Sequence, residues 1–319
     1  MIKFSLSALF LLINLFTLKA QSWYSLTKEA DPVVIHTVND TLSFPIYLVQ
    51  TENDSTLYFG THLTTNVCND QVCLPIEVNI FWDLQGNYHH ISKEENVRFT
   101  KFDHQYFDDA DYQKLNEILL DSMSPLRDYQ VEDLLDKNAQ KYSSEVDAVT
   151  RPTSLLFSNV TVPGALYTVY TLWHIVNGPV KQELYAYLNN QYRARNWQQY
   201  FAESQKPGYQ EYFLKHLDKK EYKQYTRQVI ALLYAEDDFI PHYAIDVLES
   251  SGAMGNPLQY NAILQQLDKL KPHVITEFIN SLSAPDDQSK IILKSFQQNP
   301  KANAKQKELI TKILNYEEQ

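Results

Sequence analysis

The sequence predicts an α+β domain in the N-terminal half, followed by an all-α domain that is either a HEAT-like helical repeat or an irregular bundle. Two observations lead to this prediction. Between residues 32 and 102, segments rich in β-branched and aromatic residues alternate as strands do. Beyond Gly178, apolar residues recur every three or four positions between proline and glycine breaks. We therefore expect an export signal over 1–20, an α+β domain over 21–178 and a helical domain over 179–319.

The composition is that of a globular protein, with 44% hydrophobic and 21% charged residues among 319. Only seven residues are glycine, and the sequence contains no GxGxxG, GxxxxGK[ST], GxSxG, HExxH or CxxCH motif. These absences exclude the motif-based forms of Rossmann, P-loop and α/β-hydrolase chemistry. No catalytic residue is assigned on composition or motif alone.

The first twenty residues have the parts of a secretory signal peptide. Lys3 gives a positive start, residues 4–16 are mostly apolar, and Ala20 stands where cleavage is expected. An uncleaved anchor is the alternative. No later stretch of the sequence has the ~20 apolar residues needed to cross a bilayer. We expect cleavage after Ala20 and an exported protein, periplasmic or extracellular, that is not held in a membrane afterwards.

The net charge of −11 is unevenly distributed. Residues 21–189 hold 10 Lys and Arg against 23 Asp and Glu, whereas residues 190–319 hold 16 of each kind. An acidic surface repels phosphate backbones and anionic lipids. This pattern argues against nucleic acid and membrane surfaces as partners. A protein partner, bound through the helical domain, is the partner class that we expect.

The chain has two cysteines, Cys68 and Cys73. In an oxidising compartment, an isolated pair this close in sequence predicts a local disulfide, worth about 2 kcal/mol in the chain-entropy model. A redox-active or metal-binding pair is the alternative. Zinc normally requires CxxC spacing and two further ligands, and neither is found in the neighbouring sequence. We therefore predict a structural disulfide and no metal.

Strands are predicted over 33–38 and 44–49, and a hairpin is predicted further along the chain. Residues 76–82 alternate between apolar and polar side chains, the turn Asp-Leu-Gln-Gly-Asn occupies 83–87, and a return strand begins at Tyr88. Helices follow the strands. Asp108 or Asp109 can cap the first helix, whose apolar stripe consists of Tyr112, Leu115, Ile118 and Leu119. Residues 165–176 are nearly all apolar and predict a buried helix.

Histidines are the other candidates for chemistry. His104 lies between Asp103 and Asp108 in an acidic segment that could run acid–base steps or hold a cation, although acidic residues at a helix start also serve as caps. His89 and His90 lie in a predicted strand, so we expect their rings to point to opposite faces. His174 lies in the apolar helix and is interpreted as a core histidine.

The segment from Val146 to Ser154 resembles a degraded form of the Asp-x-x-Ser-Gly-Ala-Thr motif of the FMN-binding domain family. Members of that family are exported electron-transfer domains in which a flavin transferase attaches FMN to the motif threonine. The resemblance implies that Asp147 holds the aspartate position and Thr153 the flavin-accepting position. It covers roughly residues 60–180, which also resemble uncharacterised exported bacterial proteins.

The segment departs from the family pattern at three positions. Thr150 replaces serine, Arg151 replaces glycine and Pro152 replaces alanine. Arginine resists the backbone angles and close phosphate approach that glycine permits, and proline removes an N–H. We therefore expect no bound cofactor. FMN is the one cofactor that the resemblance leaves open. The sequence thus favours an exported, non-enzymatic binding or scaffold protein. The alternatives are a flavin-dependent electron-transfer protein, and a hydrolase with a site near His104.

Overall fold

The fold is seen in a computed structural model, which describes residues 26–40, 42–51, 56–67, 75–94, 96–101, 105–135, 141–142, 149–150, 154–282 and 285–315. The chain divides into two compact units, Met1–Asn190 and Gln191–Gln319. The first unit combines a sheet with helices, and the described part of the second is helical throughout its regular structure. The predicted order of an α+β domain followed by an all-α domain is confirmed.

The first unit is built on a six-stranded antiparallel sheet. Its strands are β1 (Leu26–Lys28), β2 (Val34–Asn39), β3 (Leu42–Thr51), β4 (Leu57–Thr65), β5 (Ile76–Trp82) and β6 (Tyr88–Ser92). They are ordered β1-β3-β4-β5-β6, and β2 also pairs with β3. The predicted hairpin over 76–91 is confirmed as β5 and β6. A separate two-stranded sheet joins β7 (Lys141–Tyr142) to β8 (Val149–Thr150).

The sequence prediction did not include β4, although this strand lies between β3 and β5. Its residues Leu-Tyr-Phe-Gly-Thr-His-Leu-Thr-Thr are rich in β-branched and aromatic types, which is the ordinary signal for a strand. Gly60 lies at its centre, opposite Tyr47 on one neighbour and Phe81 on the other. A glycine in mid-strand weakens the pattern, but it fits where large cross-strand side chains flank it.

The helices of the first unit are α1 (Asp109–Leu120), α2 (Leu166–Asn177) and α3 (Val180–Gln191). Helix α1 begins with a capping box, because the Asp108 side chain accepts from the backbone N–H of Asp111 while the Asp111 side chain accepts from that of Asp108. The capping role predicted for Asp108 is confirmed. Among the residues that the structure describes between α1 and α2 are three short 3₁₀ segments, Pro125–Arg127, Val131–Leu134 and Leu155–Val160.

Helices α2 and α3 are tied to the sheet at several points. The Trp82 indole N–H donates to the carbonyl of Val176 at 2.9 Å, and buried His36 lies 2.9 Å from Glu183. The division between the two units therefore falls after most of α3, whereas the sequence suggested residue 178. The packing of α3 on the sheet is the physical reason for this difference.

The described part of the second unit contains eight α-helices and two short 3₁₀ segments, Ala253–Gly255 and Leu267–Lys269. The α-helices are α4 (Trp197–Glu203), α5 (Pro207–His216), α6 (Tyr222–Leu232), α7 (Ile240–Ser250), α8 (Pro257–Leu264), α9 (Pro272–Asn280), α10 (Asp287–Gln297) and α11 (Ala304–Asn315). Several begin with proline in the first turn, where the missing N–H costs no hydrogen bond.

The helices of this unit alternate between two layers. Helix α5 packs on α7, α7 on α9, and α9 on α11, while α4 packs on α6 and α8 on α10. The helices of the first layer begin at Pro207, Ile240, Pro272 and Ala304, which are 33, 32 and 32 residues apart. Such regular stacking of helical pairs is the arrangement of an α-solenoid, and we call it the helical array.

None of the helices that the structure describes combines the length and the apolar character that crossing a bilayer requires.

Candidate functional site

Most of the side chains that the sequence singled out lie outside the described residues. These are Cys68, Cys73, Asp103, His104, Asp147, Arg151, Pro152 and Thr153. The disulfide, the flavin site and the hydrolase site near His104 therefore stay predictions. Thr150 is described as backbone in β8, where it pairs with Lys141. Asp108 is occupied in capping α1.

The expectation that the His89 and His90 rings point to opposite faces is wrong. Phe81 pairs with His90 and Trp82 with Tyr88, so His89 is an extra residue in β6 and forms a β-bulge. The bulge breaks the strict alternation of side chains. As a result the two Nδ1 atoms lie 2.7 Å apart, within hydrogen-bond distance.

Aromatic rings surround this histidine pair. The ring of His90 stacks on Phe81 at a centroid distance of 4.5 Å, and that of His89 lies 4.8 Å from the ring of Tyr58. Burial, with a smaller contribution from the neighbouring His89, lowers the pKa of His90 to about 4. At neutral pH His90 is therefore uncharged, and one Nδ1 of the pair donates to the other.

A second cluster of polar side chains spans β4, β5 and β6. His62 Nδ1 lies 2.7 Å from Asn79 Oδ1, and the Asn79 amide donates to Ser92 Oγ at 3.3 Å. The other nitrogen of His62, Nε2, lies 3.3 Å from the carboxylate of Glu77. Asn79 stands between the imidazole and the hydroxyl, so this row is not a nucleophile–base pair. It ties β4, β5 and β6 together.

His174 lies in α2, as predicted, and its ring packs against Tyr170 at a centroid distance of 4.3 Å. Burial lowers its pKa. Its Nε2 is buried without a hydrogen-bond partner in the described part of the chain. The interpretation as a core histidine fits its packing but not this unpartnered nitrogen.

In the helical array, equivalent positions of successive repeats carry histidine. His242 follows Pro241 in α7, and His273 follows Pro272 in α9. Their rings stack at a centroid distance of 5.2 Å because the repeat places one helix start beside the next. His242 Nδ1 also contacts the carboxylate of Glu277, one turn further along α9. His242, His273 and Glu277 thus form one polar cluster between α7 and α9.

At its C-terminal end the array has a groove of about 460 Å³ between α10 and α11, which we call the end groove. Its walls combine cationic, apolar and neutral polar side chains: Lys290, Ile291, Lys294 and Gln297 from α10, and Thr311, Leu314 and Asn315 from α11. Ile291 is 63% exposed, although it is a large apolar residue.

Over the described residues, no group of three or more His, Cys, Asp or Glu side chains is arranged to hold a metal ion. We therefore interpret the two histidine clusters, His89 with His90 and His242 with His273, as packing and hydrogen-bonding groups. The sequence alone did not predict either cluster, since one depends on a bulge and the other on contact between two histidines that are 31 residues apart on different helices.

No protein-family model, curated protein or solved structure matches this chain.

Proposed function

We propose that this chain is an exported, non-enzymatic binding or scaffold protein whose helical array holds a protein partner. The single observation that supports the proposal best is the two-layer packing of α4 to α11, with first-layer helices 33, 32 and 32 residues apart. In such arrays each repeat contacts only its neighbours, and the stacked helices present an extended surface suited to binding.

Exposed apolar side chains on this unit support the proposal. Leu258 at the start of α8 is 86% exposed and Phe239, just before α7, is 69% exposed. Large apolar groups in water cost free energy that a partner surface can recover. The N-terminal unit is proposed to keep the scaffold of an FMN-binding-like domain without its cofactor, since Arg151 and Pro152 replace the small residues of the motif.

Site-specific photo-crosslinking tests the proposal. A photoreactive amino acid is placed at Leu258 or Phe239 and, as a matched control, at Ile35 on β2, which is 67% exposed. The protein is produced in the organism that encodes it. We expect a discrete adduct from the array positions that saturates with light dose, and none of the same mass from Ile35. The partner, once identified and purified, should bind the purified chain directly.

If neither array position gives an adduct, or if all three positions give the same adducts, the array is not a specific binding surface and the proposal fails.

A further inference from the structure

The chain has three methionines, and their surroundings differ. Met1 belongs to the predicted signal peptide, which leaves Met123 and Met254 in the expected mature chain. Met123 lies between α1 and the 3₁₀ segment Pro125–Arg127 and is 70% exposed. Met254 lies in the 3₁₀ segment of the second unit that begins at Ala253, and it is 6% exposed. One molecule therefore offers an accessible thioether and a buried one.

The backbone of Met123 is held in a defined turn after α1. Its N–H donates to Asp121 Oδ1 at 3.0 Å, which is a local turn closed by an aspartate side chain. The carbonyl of Asp121 accepts in turn from the indole N–H of buried Trp173 at 2.9 Å. The turn is thus anchored to α2, and it presents the thioether to solvent.

A guanidinium group lies against the sulfur of Met123. Arg127 Nη1 donates to Met123 Sδ at 3.7 Å. Two other nitrogens of the same guanidinium, Nε and Nη2, donate to the two carboxylate oxygens of Asp128 at 2.9 and 3.0 Å. A bidentate pair of this kind fixes the plane of the guanidinium, so Nη1 is directed toward the sulfur. A thioether sulfur is only a weak acceptor, and the charged donor there can serve a stronger one.

We propose that Met123 is a reversible oxidation site and that Arg127 binds the oxygen which the reaction adds. The oxidant is a peroxide, with hydrogen peroxide as the simplest. A lone pair of the sulfur attacks one peroxide oxygen, and the O–O bond breaks. The attacked oxygen stays on sulfur as the sulfoxide, and its proton goes to the leaving hydroxide, which departs as water. The sulfur loses two electrons and the peroxide gains them.

Arg127 suits the product better than the reactant. The sulfoxide group is polar, and its oxygen is a stronger acceptor than the thioether sulfur. Because Nη1 already faces the sulfur, the added oxygen receives a charge-assisted hydrogen bond from a donor that is in place. The site lies in the first unit, so the inference goes beyond the binding function proposed for the helical array and does not depend on it.

Treatment of the full folded chain with dilute hydrogen peroxide tests the site, with peptide mass spectrometry following oxygen uptake at each methionine. We expect Met123 to react at least about tenfold faster than Met254, because susceptibility follows exposure. In urea, where both are exposed, the two rates should agree within about twofold. Met123→Leu is the matched variant and should take up no oxygen at the fast rate. Methionine sulfoxide reductases for both epimers should together restore the original mass.

Nuclear magnetic resonance of the arginine side chains tests the role of Arg127. Oxidation should shift the Nε–H signal of Arg127, because its guanidinium gains a stronger acceptor. Arg193 is the matched control, since it is an exposed arginine that pairs with Asp218 and Glu221, and its signal should stay in place. The same peroxide treatment of Met123→Leu should leave the Arg127 signal unchanged.

Equal oxidation rates at Met123 and Met254 in the folded chain would overturn the proposed site, as would an oxygen that the reductases cannot remove. If Met123 is oxidised while the Arg127 signal stays in place, or if Arg193 shifts equally, Arg127 does not bind the oxygen. Protein isolated from peroxide-treated cells of the organism that encodes it should carry oxygen on Met123. Its absence there would reject the site as a modification of the native protein.

Discussion

Burial controls the protonation of His90 in the histidine pair on β6. His90 stacks on Phe81, and the removal of its ring from water disfavours the charged form. Protonation of His90 would also place a positive charge beside His89, whose Nδ1 lies 2.7 Å away. We therefore expect acid to destabilise the sheet by protonating His90.

The pKa of His90 predicts the pH dependence of folding. In the folded protein it is about 4, whereas an exposed histidine in the unfolded chain titrates near 6.5. Between these values the unfolded state binds more protons, so this stability is present above pH 6.5 and lost as the pH falls to 4. We expect wild type to lose roughly 3 kcal/mol more than His90→Gln between pH 7 and 4. Urea unfolding at both pH values measures the difference.

His273→Gln is the matched control, because His273 is an exposed histidine of the helical array. The His273→Gln variant should lose as much folding stability as wild type when the pH is lowered from 7 to 4. If His90→Gln has the same pH dependence as wild type, burial of His90 does not set it.

Thr153 should carry no covalent FMN, even when a flavin transferase is present. Arg151 and Pro152 replace two small residues of the family motif with a bulky cation and a rigid ring, and the residue before proline is pushed toward an extended conformation. Intact mass after co-expression with a transferase tests this. An adduct on a peptide containing Thr153 of the unaltered protein would refute it.

The converse variant tests the family resemblance itself. Thr150→Ser, Arg151→Gly and Pro152→Ala together restore the motif, and we expect them to permit flavinylation. If the restored chain gains no FMN mass, the resemblance to the FMN-binding family does not explain the segment from Val146 to Ser154.

At the scale of elements, the β5–β6 turn is fitted closely against α3. Gly86 has φ +75°, and a Cβ added there would lie 2.7 Å from the backbone carbonyl oxygen of Lys181. Glycine is therefore required both for the backbone conformation and for the close approach of the helix. This contact helps to explain why α3 belongs to the sheet unit.

Gly86→Ala should destabilise the first unit by at least about 3 kcal/mol, since strain and a backbone clash combine. Gly252→Ala is the matched control: its φ is +80°, but a Cβ there would meet nothing within 4 Å. It should cost only about 1–2 kcal/mol from strain. Denaturant unfolding of both variants compares them. Equal losses would show that the contact with Lys181 contributes nothing.

At the scale of the whole molecule, the two units have different kinds of stability. The sheet joins strands from Leu26 to Ser92 with helices as distant as α3, so its contacts are long-range. The array is built from contacts between neighbouring helices, and its stability is expected to accumulate repeat by repeat.

A fragment of residues 191–319 should therefore fold alone, with a circular dichroism spectrum dominated by helix. A shorter fragment of residues 191–282, which lacks α10 and α11, should remain helical but unfold at lower denaturant concentration, because one repeat interface is lost. A spectrum dominated by β signal, or an unfolded 191–319 fragment, would contradict the division of the chain between Asn190 and Gln191.

The sequence determined the fold class, the β5–β6 hairpin and the cap on α1, because these follow from local patterns of apolar, turn and capping residues. The sequence also predicted stacked helical pairs, but it did not reveal that the helices of one layer begin 32 or 33 residues apart. The repeats share helix positions and a few residues, such as Pro241-His242 and Pro272-His273, rather than a full motif.

Only the tertiary structure decided which residues meet. The bulge at His89 depends on how β6 pairs with β5, and the contact of His242 with Glu277 depends on the packing of α7 on α9. Strand register and helix packing are fixed by contacts distant in sequence, which local side-chain periodicity cannot specify.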